Sequence, residues 1–198
     1  MESGNVIFCG VGGQGILLAS EITALAFMKS GFDVKKSEVH GMAQRGGSVV
    51  AHLRYGEKVY SPLIEPGTVD IEVAFEMLES VRYLPYLKGE SRVIVNTQKI
   101  LPSSVATGVE RYPEDVLAEL TKRGLSVYPI DAFEIAKSFG EVRAVNMVLV
   151  GTLSALLPVK DEVFFAVIRE RVQKKFLEVN LAAFDNGREI IKELQVKG

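Results

Sequence analysis

The chain has no tryptophan, two histidines and one cysteine in 198 residues. A single thiol, Cys9, excludes an internal disulfide, fits a reducing cytoplasm, and falls short of the roughly four thiolates that hold an iron–sulfur cluster. It lies in an apolar strand, where an inert buried thiol is expected. A zinc site on His40, His52 and Cys9 would be an accident of folding, since no ligand spacing supports it. No charge of one sign dominates either: 23 Lys and Arg stand against 25 Asp and Glu, for a formal net charge of −2. That excludes nucleic-acid binding by bulk electrostatics, and the short basic run Arg169–Lys175 reads as a solvated helix face. Long apolar runs are also lacking. Val145–Pro158 is interrupted by Asn146, Gly151, Thr152 and Ser154 and is shorter than the roughly 20 residues a bilayer span needs. Met1-Glu-Ser-Gly has no basic lead, so no signal peptide is expected. Two catalytic signatures are missing as well, the G-D-G…N pattern of thiamine-diphosphate binding and a G-x-x-x-x-G-K-[ST] loop. By itself the polypeptide shows no evident means of difficult chemistry.

What is present is a large apolar fraction, 47%, enough to bury a core. Asn5–Cys9 reads as a buried strand, followed by a glycine turn, a helix over Ile16–Ser30 with Gly31 as its stop, and a second strand over Phe32–Ser37. Ser48–Tyr55 and Lys58–Ser61 flank Gly56-Glu57 and read as an inserted β-hairpin. Alternation resumes with strand Ile71–Phe75, helix Met77–Leu87 interrupted near Pro85, strand Arg92–Asn96, helix Pro113–Arg123 and strand Leu125–Ile130. Asp131 and Glu134 then form a capping pair for another helix. Beyond Ala144 only helices are expected: Ala144–Leu157, Asp161–Phe176 and Val179 to about Leu194. The expected fold is α/β, a three-layer sandwich with a mostly parallel sheet, an inserted hairpin and a helical C-terminal third (about 144–198), forming one domain over 1–198.

Two stretches carry candidate chemistry. Gly10-Val-Gly-Gly-Gln-Gly15 satisfies G-x-G-x-x-G between a strand and a helix, where glycines allow a tight turn and the helix start offers N–H groups to an anion. A dinucleotide site also wants an acidic residue at the end of the second strand. Here that strand offers Lys35 and Lys36 before Ser37 and Glu38. The loop is therefore left open between a phosphate-bearing ligand, a partner's backbone, a structural turn and, with less support, NAD or FAD. The second stretch, Ser37-Glu-Val-His-Gly-Met-Ala-Gln-Arg-Gly-Gly-Ser48, is polar and glycine-rich and follows a strand end. His40 suits acid–base work and Arg45 suits a carboxylate or phosphate. With no nucleophile arranged beside them, an interface or ligand-contact loop is favoured over catalysis. Ser61-Pro62, Asn96-Thr97 and Asn146 read as caps or turns.

Taken together, Gly10–Ser20 (G-V-G-G-Q-G-I-L-L-A-S) and Ser37–Ser48 resemble the gamma domain of 2-oxoacid:ferredoxin oxidoreductases. Tyr60–Ile64, Ala74–Glu76, Arg82–Leu87 and Val95–Thr97 are similar to its indolepyruvate branch, and the resemblance runs from about Asn5 to Phe184. It implies a division of labour. A larger partner subunit would carry thiamine diphosphate, magnesium and 4Fe–4S clusters, decarboxylate an aryl pyruvate, pass electrons to ferredoxin and form an acyl-coenzyme A. The present chain would be cofactor-free and would self-associate. The positions matching the family signature are Gly10, Gly12, Gly13, Gln14 and Gly15 with His40, Gln44 and Arg45. They imply ligand or partner contact, coenzyme A included, rather than catalysis. Two other readings stand beside this one: a self-sufficient dinucleotide-dependent oxidoreductase, and a non-enzymatic assembly module.

Overall fold

A computed structural model of the chain describes residues 2–40 and 47–197. Six strands form one sheet: β1 (Gly4–Val11), β2 (Asp33–His40), β3 (Ser48–Gly56), β4 (Val69–Ala74), β5 (Leu87–Asn96) and β6 (Ser126–Ile130). Their spatial order is β2-β3-β1-β4-β5-β6. The pairs β1/β4, β4/β5 and β5/β6 are parallel, whereas β3 runs antiparallel to both its neighbours, β1 and β2. The expected α/β sandwich with a mostly parallel sheet and a helical last third is what the chain adopts, whereas the inserted hairpin takes another form.

The strand β1 reads as a continuous apolar run because it is covered on both faces. Val6 and Phe8 join Ala51, Leu53, Ile71, Val73 and Ile94 in the main core. Ile7 and Cys9 face the other way, against Val50 and Ile64. The first face is covered by α1 (Ile16–Lys29), α6 (Val145–Ser154), α7 (Asp161–Arg171) and α8 (Leu177–Lys197), so the helical third is an outer layer of the sandwich. The second face is covered by the segment around Ile64, the short α2 (Glu79–Arg82) and α4 (Val116–Lys122). Helices α3 (Ser103–Ala106) and α5 (Ala132–Ser138) complete the set. The Asp131 carboxylate accepts from the Glu134 N–H at 3.2 Å, as the capping pair predicts. Gly31, at φ 88°, ends α1.

The hairpin differs from its expected form. Lys58–Ser61 does not return beside Ser48–Tyr55; β3 instead pairs with β2 on one side and β1 on the other, so no edge of β3 is left for it. The segment after β3 is held by side chains. Arg54 Nη1 donates to the Ser61 and Leu63 carbonyls at 3.1 and 3.2 Å, and the Ile64 N–H donates to His52 Nδ1 at 3.2 Å. Pro62, lacking an N–H, suits a strap better than a ladder. The Met77–Leu87 helix shrinks to α2 and a 3₁₀ turn over Leu84–Tyr86, and β5 begins at Leu87.

All ten residues of α6 are buried, which accounts for its lack of amphipathic periodicity. It crosses α8 at backbone contact. A Cβ on Gly151 would overlap the Phe184 carbonyl, and one on Gly187 the Val148 carbonyl. The Thr152 hydroxyl donates to the Val148 and Gly187 carbonyls at 3.0 and 3.2 Å across the same crossing. Gly151→Ala is therefore expected to destabilise the chain by about 1–3 kcal/mol through overpacking. Urea unfolding reads this as a lowered midpoint at unchanged slope, and an unaltered midpoint would refute the crossing.

Candidate functional site

The parallel strands β1, β4 and β5 end together, and their ends are tied by one carbonyl. Phe75, just past β4, donates its N–H to the Cys9 carbonyl at 2.8 Å. Its own carbonyl accepts from Gln14 Nε2 at 2.8 Å and from Asn96 Nδ2 at 2.9 Å. Gln14 is thus folded back over its own loop, with its Oε1 accepting from the Val11 N–H at 2.8 Å. The missing Cβ of Gly10 makes room for this, since it would lie 2.7 Å from both Gln14 Oε1 and Phe75 Cβ. Gly13 (φ 103°) and Gly15 (φ 80°) take the left-handed turn that opens α1. The Gly12 N–H donates to the Gly47 carbonyl at 2.9 Å and the Gln14 N–H to the Val11 carbonyl at 3.3 Å. Three of the loop's N–H groups, those of Val11, Gly12 and Gln14, are therefore engaged within the chain. Among the described residues, an anion is left Gly13, Gly15 and the first turn of α1, which no side chain caps.

The two ends of the second signature stretch flank the first. His40 is the last residue of β2, opposite Val49 of β3, and Ser48 pairs with Val11 at the end of β1. Gln44 and Arg45 lie outside the described residues. At the start of β3 the Ser48 hydroxyl donates to Glu79 Oε2 at 2.5 Å, and Arg82 Nε donates to both Glu79 oxygens at 3.0 and 3.1 Å.

On the other side of the glycine turn lies a hollow of about 400 Å³. Its walls are Gly13–Gly15 and Leu18 of the turn and α1, Gln98 and Ile100 beyond β5, Phe133 of α5, and Val142, Arg143, Val145 and Asn146 around the start of α6. Asn146 does not act as a cap. It is 4% exposed, its Oδ1 has no partner, and its amide fills the space where a Cβ on Gly15 would stand. One sequence signal pointed to it, a polar amide near the start of a largely apolar run. Nothing in local pattern marked Gln98, Ile100 or Phe133.

Beneath β1 and β4 sits a buried acidic group. Glu72 is fully buried, accepts from the Cys9 thiol at 3.1 Å through Oε1, and leaves Oε2 without a partner. Burial pushes its pKa from the ordinary 4.5 up to about 8; the Cys9 hydrogen bond opposes the rise and the charge of Glu79 adds to it. Burial, then the proximity of Glu72, raises the Cys9 thiol well above its ordinary value, so the thiolate is suppressed. Burial lowers the pKa of His52, consistent with a neutral ring accepting from Ile64. Among the described residues no three His, Cys, Asp or Glu side chains converge as a metal-holding group.

Solved structures share this architecture. The gamma subunit of a keto/oxoacid ferredoxin oxidoreductase from Geobacter sulfurreducens superposes with a TM-score of 0.72 at 23% identity, covering 96% of this chain and 99% of that one. A 2-oxoglutarate:ferredoxin oxidoreductase from Magnetococcus marinus, solved with 2-oxoglutarate, coenzyme A and succinyl-CoA bound, gives 0.77 at 23% identity, covering 98% of this chain and 32% of that one. The fold is that of a gamma-type oxidoreductase subunit. The chain belongs to the pyruvate ferredoxin/flavodoxin oxidoreductase family, whose model matches residues 5–190. It is 43% identical over 187 residues to the indolepyruvate oxidoreductase subunit IorB of Archaeoglobus fulgidus, with 92% of each chain covered. The resemblance to the indolepyruvate branch holds.

Glu72 sets a pH dependence of stability. Its folded value of about 8 stands above the ordinary 4.5, so the folded chain keeps a proton that the unfolded chain has released. Stability is therefore expected to fall as pH rises from about 4.5 to about 8 and then to level off with respect to this group. Urea titrations of wild type and Glu72→Gln across that window should diverge, the variant gaining relative stability toward the alkaline end. Parallel curves would mean that Glu72 is ionised in the fold.

Proposed function

We propose that this chain is the cofactor-free small subunit of an indolepyruvate (aryl pyruvate):ferredoxin oxidoreductase. In this reading it supports oxidative decarboxylation of the 2-oxoacid to an acyl-coenzyme A, with electrons passed to ferredoxin. The observation that carries it is the 43% identity to an indolepyruvate oxidoreductase subunit, spread over 92% of both chains. The donor set supports the division of labour. The one cysteine is buried and bonded to Glu72, so this chain cannot supply the thiolates of a cluster. Thiamine diphosphate, magnesium and the 4Fe–4S clusters then belong to a larger partner subunit, and the small chain works in the cytoplasm as part of that assembly.

The chain's own part is positioning. The glycine turn is held by Gln14, and the Gly12–Gly47 hydrogen bond ties it to the end of the second signature stretch at one edge of the sheet. That edge lies beyond the carboxyl ends of the parallel strands, where α/β sheets place ligands. In the assembly it faces the large subunit, and His40, Gln44 and Arg45 make the partner or ligand contacts, with coenzyme A phosphate or substrate carboxylate as the anion. A gamma subunit acting on 2-oxoglutarate or pyruvate is the second reading, supported by more distant sequence similarity to a 2-oxoglutarate synthase subunit, 27% identical over 188 residues.

Turnover of aryl pyruvate with coenzyme A and ferredoxin is expected only from the mixture with the co-expressed large subunit. Turnover, or a flavin-like absorbance, from this chain alone would overturn the assignment. In the assembled enzyme Arg45→Ala should raise the apparent KM for coenzyme A about tenfold with little change in kcat, the mark of lost binding energy that does not vary along the reaction. Unchanged kinetics would remove Arg45 from the site.

A further inference from the structure

The two edge strands of the sheet are built differently. The β6 edge is five residues long and contains Pro129, which has no N–H to offer a further strand. The β2 edge is eight residues long and has no proline. It pairs with β3 on its inner side, and among the described residues its backbone makes no hydrogen bond outside that ladder. An extended edge of this kind is a template for one more strand. Lysines commonly guard such edges, and β2 carries two, Lys35 and Lys36. Each, however, shares its strand face with a complement. Lys36 lies on one face with Glu38, to which it is ion-paired, and Lys35 lies on the other with Val39, which is 54% exposed.

Symmetry then selects the register. Two copies of β2 that pair antiparallel are related by a twofold axis normal to the sheet, and side chains directly opposite each other must lie on one face. One residue therefore sits opposite itself at the axis. Centring on Lys36 pairs residues 33–39, and centring on Ser37 pairs residues 34–40; no other centre uses as much of the strand. The first sets Lys36 against Lys36. The second sets Lys36 opposite Glu38 of the second copy, and Glu38 opposite its Lys36. On the other face the Lys35 stem lies along Val39 of the second copy and covers its methyl groups. Helix α1 stands beside the charged face, where Lys36 Nζ donates to Ser20 Oγ at 3.4 Å. Its exposed apolar residues, Leu17 and Met28, lie about three turns apart and so share one side of the helix.

We propose that the β2 edge is a homodimer interface, at which a second copy of this chain continues the six-stranded sheet across a twofold axis at Ser37. The backbone ladder supplies affinity, and the two Lys36–Glu38 crossings supply the register. The contact is isologous, so it closes at two copies. It is read from the strand itself and rests neither on the large subunit nor on the 2-oxoacid assigned above.

Sedimentation of the full chain without the large subunit tests it, so the result is separate from turnover in the assembly. A dimer, at twice the 21.7 kDa of the chain, is expected by about 100 µM. Lys36→Glu and Glu38→Lys should each raise the dimer dissociation constant at least about tenfold, because each sets like charges opposite one another across the axis. The double exchange, Lys36→Glu with Glu38→Lys, should return it to near the wild-type value. Ser37→Cys reads the register directly. Residues opposite each other in an antiparallel pair have Cβ atoms about 4.5–5.5 Å apart, close to disulfide reach, so mild oxidation should link the two copies there. Lys35→Cys, on the same face but off the axis, should not link, and the native Cys9 is buried. If a charge reversal fails to fold, the two cysteine variants still decide. A chain that stays monomeric would overturn the interface. So would a dimer indifferent to both single reversals, a folded double exchange that stays dissociated, or a link that forms as readily in Lys35→Cys as in Ser37→Cys.

Discussion

One backbone carbonyl, that of Phe75, holds the working edge of the sheet together. It receives the amides of Gln14 and Asn96, while the N–H of the same residue extends the β1/β4 pairing. The glycine turn, the end of β4 and the end of β5 are thereby fixed relative to one another by three hydrogen bonds to the backbone of a single residue. Everything proposed for this edge depends on that knot. Without it the start of α1 would have no defined direction, and the hollow between the turn and α6 would have no fixed wall.

The same knot changes the meaning of the glycine motif. In a dinucleotide fold the glycines clear space for a pyrophosphate. Here the space over Gly10 is filled by Gln14, and the missing Cβ of Gly15 is replaced by the Asn146 amide. Glycine is still required at both places, but largely so that the protein can pack against itself. The motif is a poor guide to a cofactor because the steric need for glycine is the same whether the neighbour is a phosphate or a side chain.

Most of the secondary structure was legible because its signals are local: the apolar run of β1, the Asp131 cap, and Gly31 after α1. The place of β3 was not, because nothing in Ser48–Gly56 says whether its partner lies before or after it in the chain. The decision is non-local, and the strap held by Arg54 and His52 is what remains of the expected return strand. The span of α6 was visible but its role was not, since a helix buried all round has no period to read. At the site, the glycine turn and its neighbouring strand ends could be found from sequence, whereas the hollow draws on four separate segments and appears only when they are folded together. Glu72 left one faint mark, an acid set between Ile71 and Val73 in a strand otherwise suited to a core.

That acid has an electrical consequence. The formal charge of −2 counts every carboxyl as ionised. With a pKa raised to about 8, Glu72 contributes little to the native charge under neutral conditions. The native chain should therefore migrate in an electric field as a less acidic particle than its composition implies, and it should take on that missing negative charge only when it unfolds.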